Sequence, residues 1–489
     1  MLFNSHIFML LFLPLLLAGW YFLNWKKKFQ LAQGYLIGMS LWFYAYANLQ
    51  YLWLLLFSCL IGWLLSCLPE KIFSEKGKKV LTGVGCVFHL GLLGYFKYSN
   101  FFLENLNTVF HTDFPMLQIL LPVGISFYTF QQLAYLIDRC RGDAPRDSFF
   151  DYLTFMVYFP QLLQGPILLR SEFMGQLKEP ERRRFHAERF SEGIQFFVFG
   201  LAKKVLLADT LAKAVNYGYS NVSMLDSISA LLLAVGYLTE LYFDFSGYCD
   251  MAVGLGKMIG LEVAENFDAP FHSASVKEFW RRWHMTLGRF FTRYVYIPLG
   301  GNRRGKMRTL CNVMIVMLLS GLWHGAAWTF VLWGFLHGVG MIWDNLEHPH
   351  LPKKWMRQAA TFAYVCMTFV FFRAESIAQG VDVLKSIVSL KWNGFVFQMA
   401  SALDLTEFYM ITKALSMKLP GLLSWFWLGI FVVLIAICFR VLSGEKVSGV
   451  VALQRQKGYG RLYPVLLAVL FTWSIISMTG VSEYLYFSF

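Results

Sequence analysis

Runs of close to twenty consecutive apolar residues recur along this chain of 489 residues, and that pattern rules out most folds at once. A soluble helix interrupts its apolar stripe with polar residues every turn, whereas an unbroken run of this length crosses roughly 30 Å of hydrocarbon. In that medium the backbone must satisfy its own hydrogen bonds, which leaves helices for segments of this kind. With 57% apolar residues, 18% aromatics and only 15% charge, the chain reads as an all-α polytopic membrane protein with no extended soluble region.

Apolar length predicts spans over residues 7–22, 31–48, 50–68, 80–97, 117–137, 192–208, 226–247, 358–374, 421–440 and 463–481, with a further excursion over 309–344. The expected total is about eleven or twelve transmembrane helices. The run Ile7 to Phe22 lacks a preceding basic region and is followed by Lys26, Lys27 and Lys28, so it reads as a retained span rather than a signal peptide. Lys71, Lys76, Lys78 and Lys79 fall in one connection and Arg139, Arg141 and Arg146 in another, while the loops near Tyr51 and Phe110 are poor in both residue types. Basic residues collect in cytoplasmic loops, so this alternation puts both termini outside a cell inner membrane. The net charge of +13 is then topological, and nucleic acid is not expected as a partner. Eight scattered cysteines without a CxxC pair or metal spacing indicate neither a disulfide framework nor a metal site.

Several stretches do not fit simple spans. Residues 151–169 carry Pro160, Gln161, Gln164, Gly165 and Pro166 near their middle, with basic loops on both sides. This predicts a re-entrant hairpin, which is tolerable only inside protein or beside a cavity. Lys203 and Lys204 sit close to the end of a span and must snorkel or face inward. Glu240 and Asp244 are four residues apart on one helix face, so Asp244 either lines a chamber or braces the fold. The stretch Thr309 to Ser320 is twelve residues, about 18 Å as a helix, which predicts a short arm and a break at His324 within the membrane. Residues 375–420 are expected as an outer-face connection of short surface helices.

Two histidines stand out. Ser275 and Glu278 form a capping box, and the helix they begin is expected to continue through WRRWHMTLGRFF with Trp280, His284 and Gly288 on one face. Taken alone, this block is an amphipathic interfacial helix. His324 lies in SGLWHGAAW, where glycines permit close approach and Trp323 and Trp328 are placed to wall a chamber. An ionisable ring among membrane residues is a functional candidate by default. His337, in the following helix, has no such setting and reads as structural.

The segments LPVGISFYTFQ, FPQLLQGPI, GLAKKVLLAD, YFDFSGYCDMAVGLGKMIG, ENFDAPF, EFWRRWHMTLGRFF, YIPLGGNRRG and GLWHGAAWTFVLWGFLHG, with EYLYFSF at the end, resemble in their order the membrane-bound O-acyltransferases, and within them the bacterial AlgI-like alginate O-acetyltransferase group. That resemblance implies one integral membrane domain over 1–489, with a core at 121–345 whose helices ring a central funnel. It implies His324 and His284 as the active-site pair, with Trp280, Trp323, Trp328 and Asp244 expected along the channel. Acetyl-CoA is implied as the donor substrate, held by Arg281, Arg282, Arg303, Arg304 and Lys306, and no permanently bound cofactor is expected. The implied partners are an exported SGNH-type acetyltransferase and a polysaccharide acceptor. Thr292, Arg293 and Tyr294 replace the Arg-Asp-Tyr that many relatives carry before YIPLGG, so an acidic contact is missing there. Two alternatives remain open at this stage. One is DltB-like D-alanyl transfer to teichoic acid, and the other is a transporter or channel with broken helices.

Overall fold

A computed structural model describes residues 1–67, 74–346, 353–442, 446–458, 460–478 and 485, without the side chains of 47, 48, 406 and 457. Lys71, the end of the expected span 463–481 and the EYLYFSF terminus apart from Leu485 lie outside the described residues. Those residues form helices and connecting loops, with no strand.

The first helices are α1 (Phe8–Trp25), α2 (Phe29–Asn48), α3 (Leu52–Cys67) and α4 (Glu75–Phe110). The last is far longer than the predicted 80–97 and contains a π turn at Gly94–Tyr98. After it, residues 111–124 are not helical, so the predicted span at 117–137 begins only with α5 (Ile125–Arg141). Pro115 and Pro122 cannot donate helix bonds, and two asparagines of α4 take over the freed backbone. Asn100 pairs with both backbone groups of Leu117 at 2.9 and 2.8 Å, and Asn107 with both of Phe114 at 2.9 Å each.

The predicted re-entrant segment starts as α6 (Phe149–Val157), makes one further turn at Phe159–Leu162 and then runs without helix to α7 (Arg170–Leu177). Residues 154–169 are all buried, as freed backbone at membrane depth requires.

Next come α8 (Ala187–Ala202), a π turn at Lys203–Ala208, α9 (Asp209–Ser220) and α10 (Ser227–Ile259), the most deeply buried of the long helices. Helices α8 and α10 meet backbone to backbone. A β-carbon on Gly200 would sit 2.5 Å from the Gly247 carbonyl oxygen, and one on Gly193 would sit 2.6 Å from that of Gly254. Small residues let membrane helices approach this closely, and dispersion over the contact then replaces the missing hydrophobic drive. Where the two helices touch, Lys203 faces inward and pairs with Asp250 at 2.6 Å, and Lys204 pairs with Asp244 at 2.6 Å and Asp209 at 2.8 Å.

The remaining helices are α11 (Val276–Arg282), α12 (Met285–Phe291), α13 (Lys306–His324), α14 (Trp328–Asn345) and α15 (Lys354–Arg373). Residues 375–420 supply α16 (Ile377–Val388), α17 (Phe395–Ser401) and α18 (Tyr409–Lys418), and the chain ends with α19 (Pro420–Leu442), α20 (Val447–Lys457) and α21 (Leu462–Ile476). Six helices among the described residues combine the length and hydropathy of a full crossing: α1, the helix through Leu49–Cys67, α4, α10, α13 and α19.

Two local expectations are corrected. The helix carrying His324 is 19 residues long rather than a twelve-residue arm, because Lys306–Arg308 and Gly321–His324 extend it. And the block around His284 is not one helix. It breaks between α11 and α12, with His284 itself at φ +47°, so Trp280, His284 and Gly288 do not share a face.

Candidate active site

His284 occupies the left-handed region, which costs a residue with a β-carbon and persists only when its surroundings impose it. Asn266 imposes it here. Its backbone carbonyl accepts the Met285 N–H at 3.0 Å, and its side-chain Oδ1 accepts the Thr286 N–H at 3.1 Å and the Thr286 hydroxyl at 3.0 Å. The same Oδ1 lies 3.2 Å from His284 Nδ1. Because this oxygen can only accept, Nδ1 carries the proton, and Nε2 is left as the basic nitrogen of the ring. Thr286 Oγ1 in turn accepts the Ile167 N–H at 3.0 Å, and Arg289 binds the Ile167 carbonyl at 3.0 Å and the Glu172 carboxylate. The re-entrant segment is thereby tied to the turn that presents His284.

His324 arrives from the other direction, as the last residue of α13. Its helix packs on α14 through Gly321 and Gly334, and a β-carbon on Gly334 would sit 2.5 Å from the Met317 carbonyl oxygen. Both histidines are buried, and their ring centroids lie 6.4 Å apart. Aromatic rings enclose the pair: Phe245 stands 4.8 Å from His284, Trp333 5.1 Å and Phe372 5.2 Å from His324, and Trp323 6.0 Å from His284 and 5.0 Å from His324.

The other expected site residues divide. Trp323 is a wall of the cage. Trp280 is one step removed: its indole N–H donates to His337 Nδ1 at 3.2 Å, and its ring packs on Trp333 at 5.6 Å. His337 Nε2 lies 2.9 Å from Thr368 Oγ1, whose own proton goes to the Val365 carbonyl at 2.8 Å. Nε2 is therefore the donor, both ring nitrogens are committed, and His337 is structural as expected.

Trp328 and Asp244 do not belong to the cage. Trp328 is 56% exposed and donates to Asn105 of α4 at 2.8 Å, because it opens α14 on the far side of the Gly325 bend. Asp244 faces α8, where it pairs with Lys204 and accepts the Leu485 N–H at 3.1 Å, so it braces the fold.

The five basic residues form two groups. Arg281 and Arg282 line a surface cleft with Asp268, Ser275, Lys277 and Glu278, and Arg282 pairs with Glu278 at 3.0 Å and with Asp268 at 4.0 Å. Arg303 and Arg304 stand exposed on a separate loop before α13, and Lys306 is exposed as the first residue of that helix. A larger cavity of about 1070 Å³ lies between α8–α10 and α19–α21. Its wall includes Asn266 and Phe267 next to His284, the Lys203–Asp250 pair, Arg440 and Lys446. Lys446 pairs with Asp268 at 3.4 Å and Glu265 at 3.7 Å, so the cavity rim and the Arg282 cleft share one charged network.

The residues that local reading missed are Asn266, Thr286 and Lys97. Lys97 Nζ donates to the Trp323 and His324 carbonyls at 2.7 and 3.0 Å. A lysine inside the apolar run GLLGYFKYSN was the available signal for it. Asn266 in ENFDAPF offered none, since its partners come from seventeen or more residues away.

Two buried histidines thus converge on one aromatic cage inside a helical enclosure. The chain belongs to the membrane-bound O-acyltransferase (MBOAT) family, whose family model matches residues 141–375. It is 35% identical to a peptidoglycan O-acetyltransferase of Helicobacter pylori over 423 residues, covering 80% of each chain. It is 39% identical to a probable alginate O-acetylase AlgI of Azotobacter vinelandii over 389 residues, covering 77% of this chain and 76% of that one. A teichoic acid D-alanyltransferase of Bacillus subtilis is 28% identical over 271 residues, 52% of this chain and 69% of that one. The protein is thus a multi-pass membrane acyltransferase.

Proposed function

We propose that this enzyme moves acetyl groups from cytoplasmic acetyl-CoA across the inner membrane for O-acetylation of an extracellular or cell-wall polysaccharide. The observation that carries the reading is the convergence of His284 and His324, 40 residues apart in sequence, to a ring separation of 6.4 Å inside an aromatic cage. Support for an acetyl group and a polymer acceptor comes from the two relatives named for alginate and peptidoglycan O-acetylation, which match over more than three quarters of the chain.

In this mechanism His324 takes the proton of an acceptor hydroxyl as the oxygen attacks the thioester carbonyl. The C–S bond breaks, and the coenzyme A thiolate leaves and is protonated. His284, with Nδ1–H fixed by Asn266, orients the acyl donor by the fixed position of its ring. Arg281 and Arg282, the latter joined through Asp268 to Lys446 at the cavity rim, are the phosphate-binding group this reading favours, and guanidinium forks suit that role. Arg303, Arg304 and Lys306 extend the basic surface. The acceptor is an exported SGNH-type acetyltransferase that passes the group to the polymer.

The test is a deletion strain complemented with wild type or His324→Ala, with ester-linked acetate and ester-linked alanine measured on the envelope polymers. Wild type is expected to restore acetate and His324→Ala to restore none. Recovery of alanine instead would establish the D-alanyl reaction, and solute flux that survives without transfer would establish a transporter. Rapid quench after mixing with labelled acetyl-CoA distinguishes direct transfer, which leaves no label on His324, from a covalent acetyl-histidine, which traps it.

A further inference from the structure

The C-terminal end of α13 holds the second unusual arrangement in the molecule. The last carbonyls of any helix lack partners within it, and at this end they belong to the residues that carry the chemistry. Gly325 N–H returns to Gly321. The next three carbonyls, those of Leu322, Trp323 and His324, are all taken by two consecutive residues of α4. Tyr98 Oη donates to Leu322 at 2.5 Å, and Lys97 Nζ donates to Trp323 at 2.7 Å and to His324 at 3.0 Å. The third ammonium proton goes to Ser126 Oγ at 3.3 Å.

Three features set this apart from an ordinary cap. Lys97 and Tyr98 lie in the π turn Gly94–Tyr98, and such insertions are found mainly at functional places because they re-aim side chains. The ammonium's partners at Ser126, Trp323 and His324 are neutral oxygens, so its charge is matched by the negative end of the α13 dipole. A cation placed at membrane depth in this way is costly, and an amide or hydroxyl could have capped the same carbonyls. Finally, Lys97, Ser126, Trp323 and His324 line one small cavity of about 40 Å³ with Gly124 and Leu163.

We propose that Lys97 is a positioning residue of the transfer site: with Tyr98 it clamps the end of α13 and so sets the backbone from which the His324 ring projects toward His284. The inference rests on the reading of His324 as the transfer residue. Ser126 extends the clamp to α5, since its carbonyl also accepts the Trp323 indole N–H at 3.4 Å.

The experiment uses full-length purified enzyme in proteoliposomes, with Lys97→Gln as the main variant because it keeps N–H donors and removes the charge. The expected result is a 10- to 100-fold fall in kcat with the donor KM unchanged within twofold, in protein that elutes and melts like wild type. Lys97→Arg is expected to recover part of the kcat, which a purely structural cap would not require. Ring resonances of ¹⁵N-histidine-labelled protein, with His324 assigned through His324→Ala, give a readout independent of turnover, and the His324 signal is expected to move or broaden in Lys97→Gln. A kcat within twofold of wild type together with an unmoved His324 signal would overturn the proposal. If Lys97→Gln does not assemble, Tyr98→Phe decides, since it deletes one hydroxyl of the same clamp. A three- to tenfold fall in kcat at constant KM supports the proposal, and an unchanged kcat refutes it. Failure of the underlying reading looks different: His324→Ala would then retain transfer, whatever the Lys97 variants do.

Discussion

Removing the Asn266 side chain tests the structural argument for His284 most directly. In Asn266→Ala three buried donors lose their acceptor, His284 Nδ1–H, the Thr286 N–H and the Thr286 hydroxyl, while Thr286 Oγ1 still receives the Ile167 N–H. A buried donor left without a partner costs roughly 1–3 kcal/mol, and measured values inside membrane proteins fall at or below the lower end of that range. Three such losses at about 1 kcal/mol each come to about 3 kcal/mol in the folded protein. Only the bond from the Met285 N–H to the residue 266 carbonyl then holds the left-handed backbone of His284, so the turn loosens and Nδ1 ceases to be the obligatory protonated nitrogen. If about 3 kcal/mol of that appears in the transition state, transfer slows roughly 150-fold, at 1.36 kcal/mol per decade. Asn266→Asp keeps the acceptor and is expected to retain at least a tenth of the wild-type rate. The assay is labelled acetyl transfer in proteoliposomes, alongside thermal unfolding in detergent. An Asn266→Ala rate within threefold of wild type would refute the claim that this side chain sets the His284 tautomer and position.

Further outcomes follow from the same contacts. Lys204→Met strands two carboxylates, Asp244 and Asp209, and breaking a buried pair costs about 3–5 kcal/mol; the midpoint of thermal unfolding should fall by several degrees, whereas an unchanged midpoint would contradict the buried pairing. Gly200→Val drives its side chain into the Gly247 backbone and is expected to abolish assembly, seen as loss of the monodisperse peak in detergent. Trp328→Ala should leave transfer within twofold of wild type, because Trp328 faces away from the cage. Arg282→Ala should raise the donor KM several-fold with little change in kcat, while Arg303→Ala is expected to do less, which steady-state kinetics in acetyl-CoA will show.

Much of the helical architecture was legible because hydrophobic length is a local property. Polar and proline residues in DYLTFMVYFPQLLQGPILL were enough to predict a stretch that is broken and buried, since freed backbone groups need partners inside the protein. The failures share a cause. Asn100 and Asn107 hold residues 111–124 out of the helix that apolar length predicted. Asn266 breaks the helix that a capping box and good helix formers predicted through His284. In each case a side chain from a distant segment outbid local propensity for the backbone.

The two histidines show the same division. Their candidacy could be read from the chain, because an imidazole among membrane residues is expensive wherever it ends up. So could the membrane character and the family, which depend on composition and on the order of motifs. That His284 and His324 face one another at 6.4 Å, that Trp323 walls the cage while Trp328 does not, and that Lys97 holds the end of α13 were decided only in three dimensions. Helix period and hydropathy say which face of a segment is buried, but they carry no information on which distant group meets it there. That choice is made by close packing at glycines such as Gly200 and Gly334, and by the few hydrogen bonds able to reach across it.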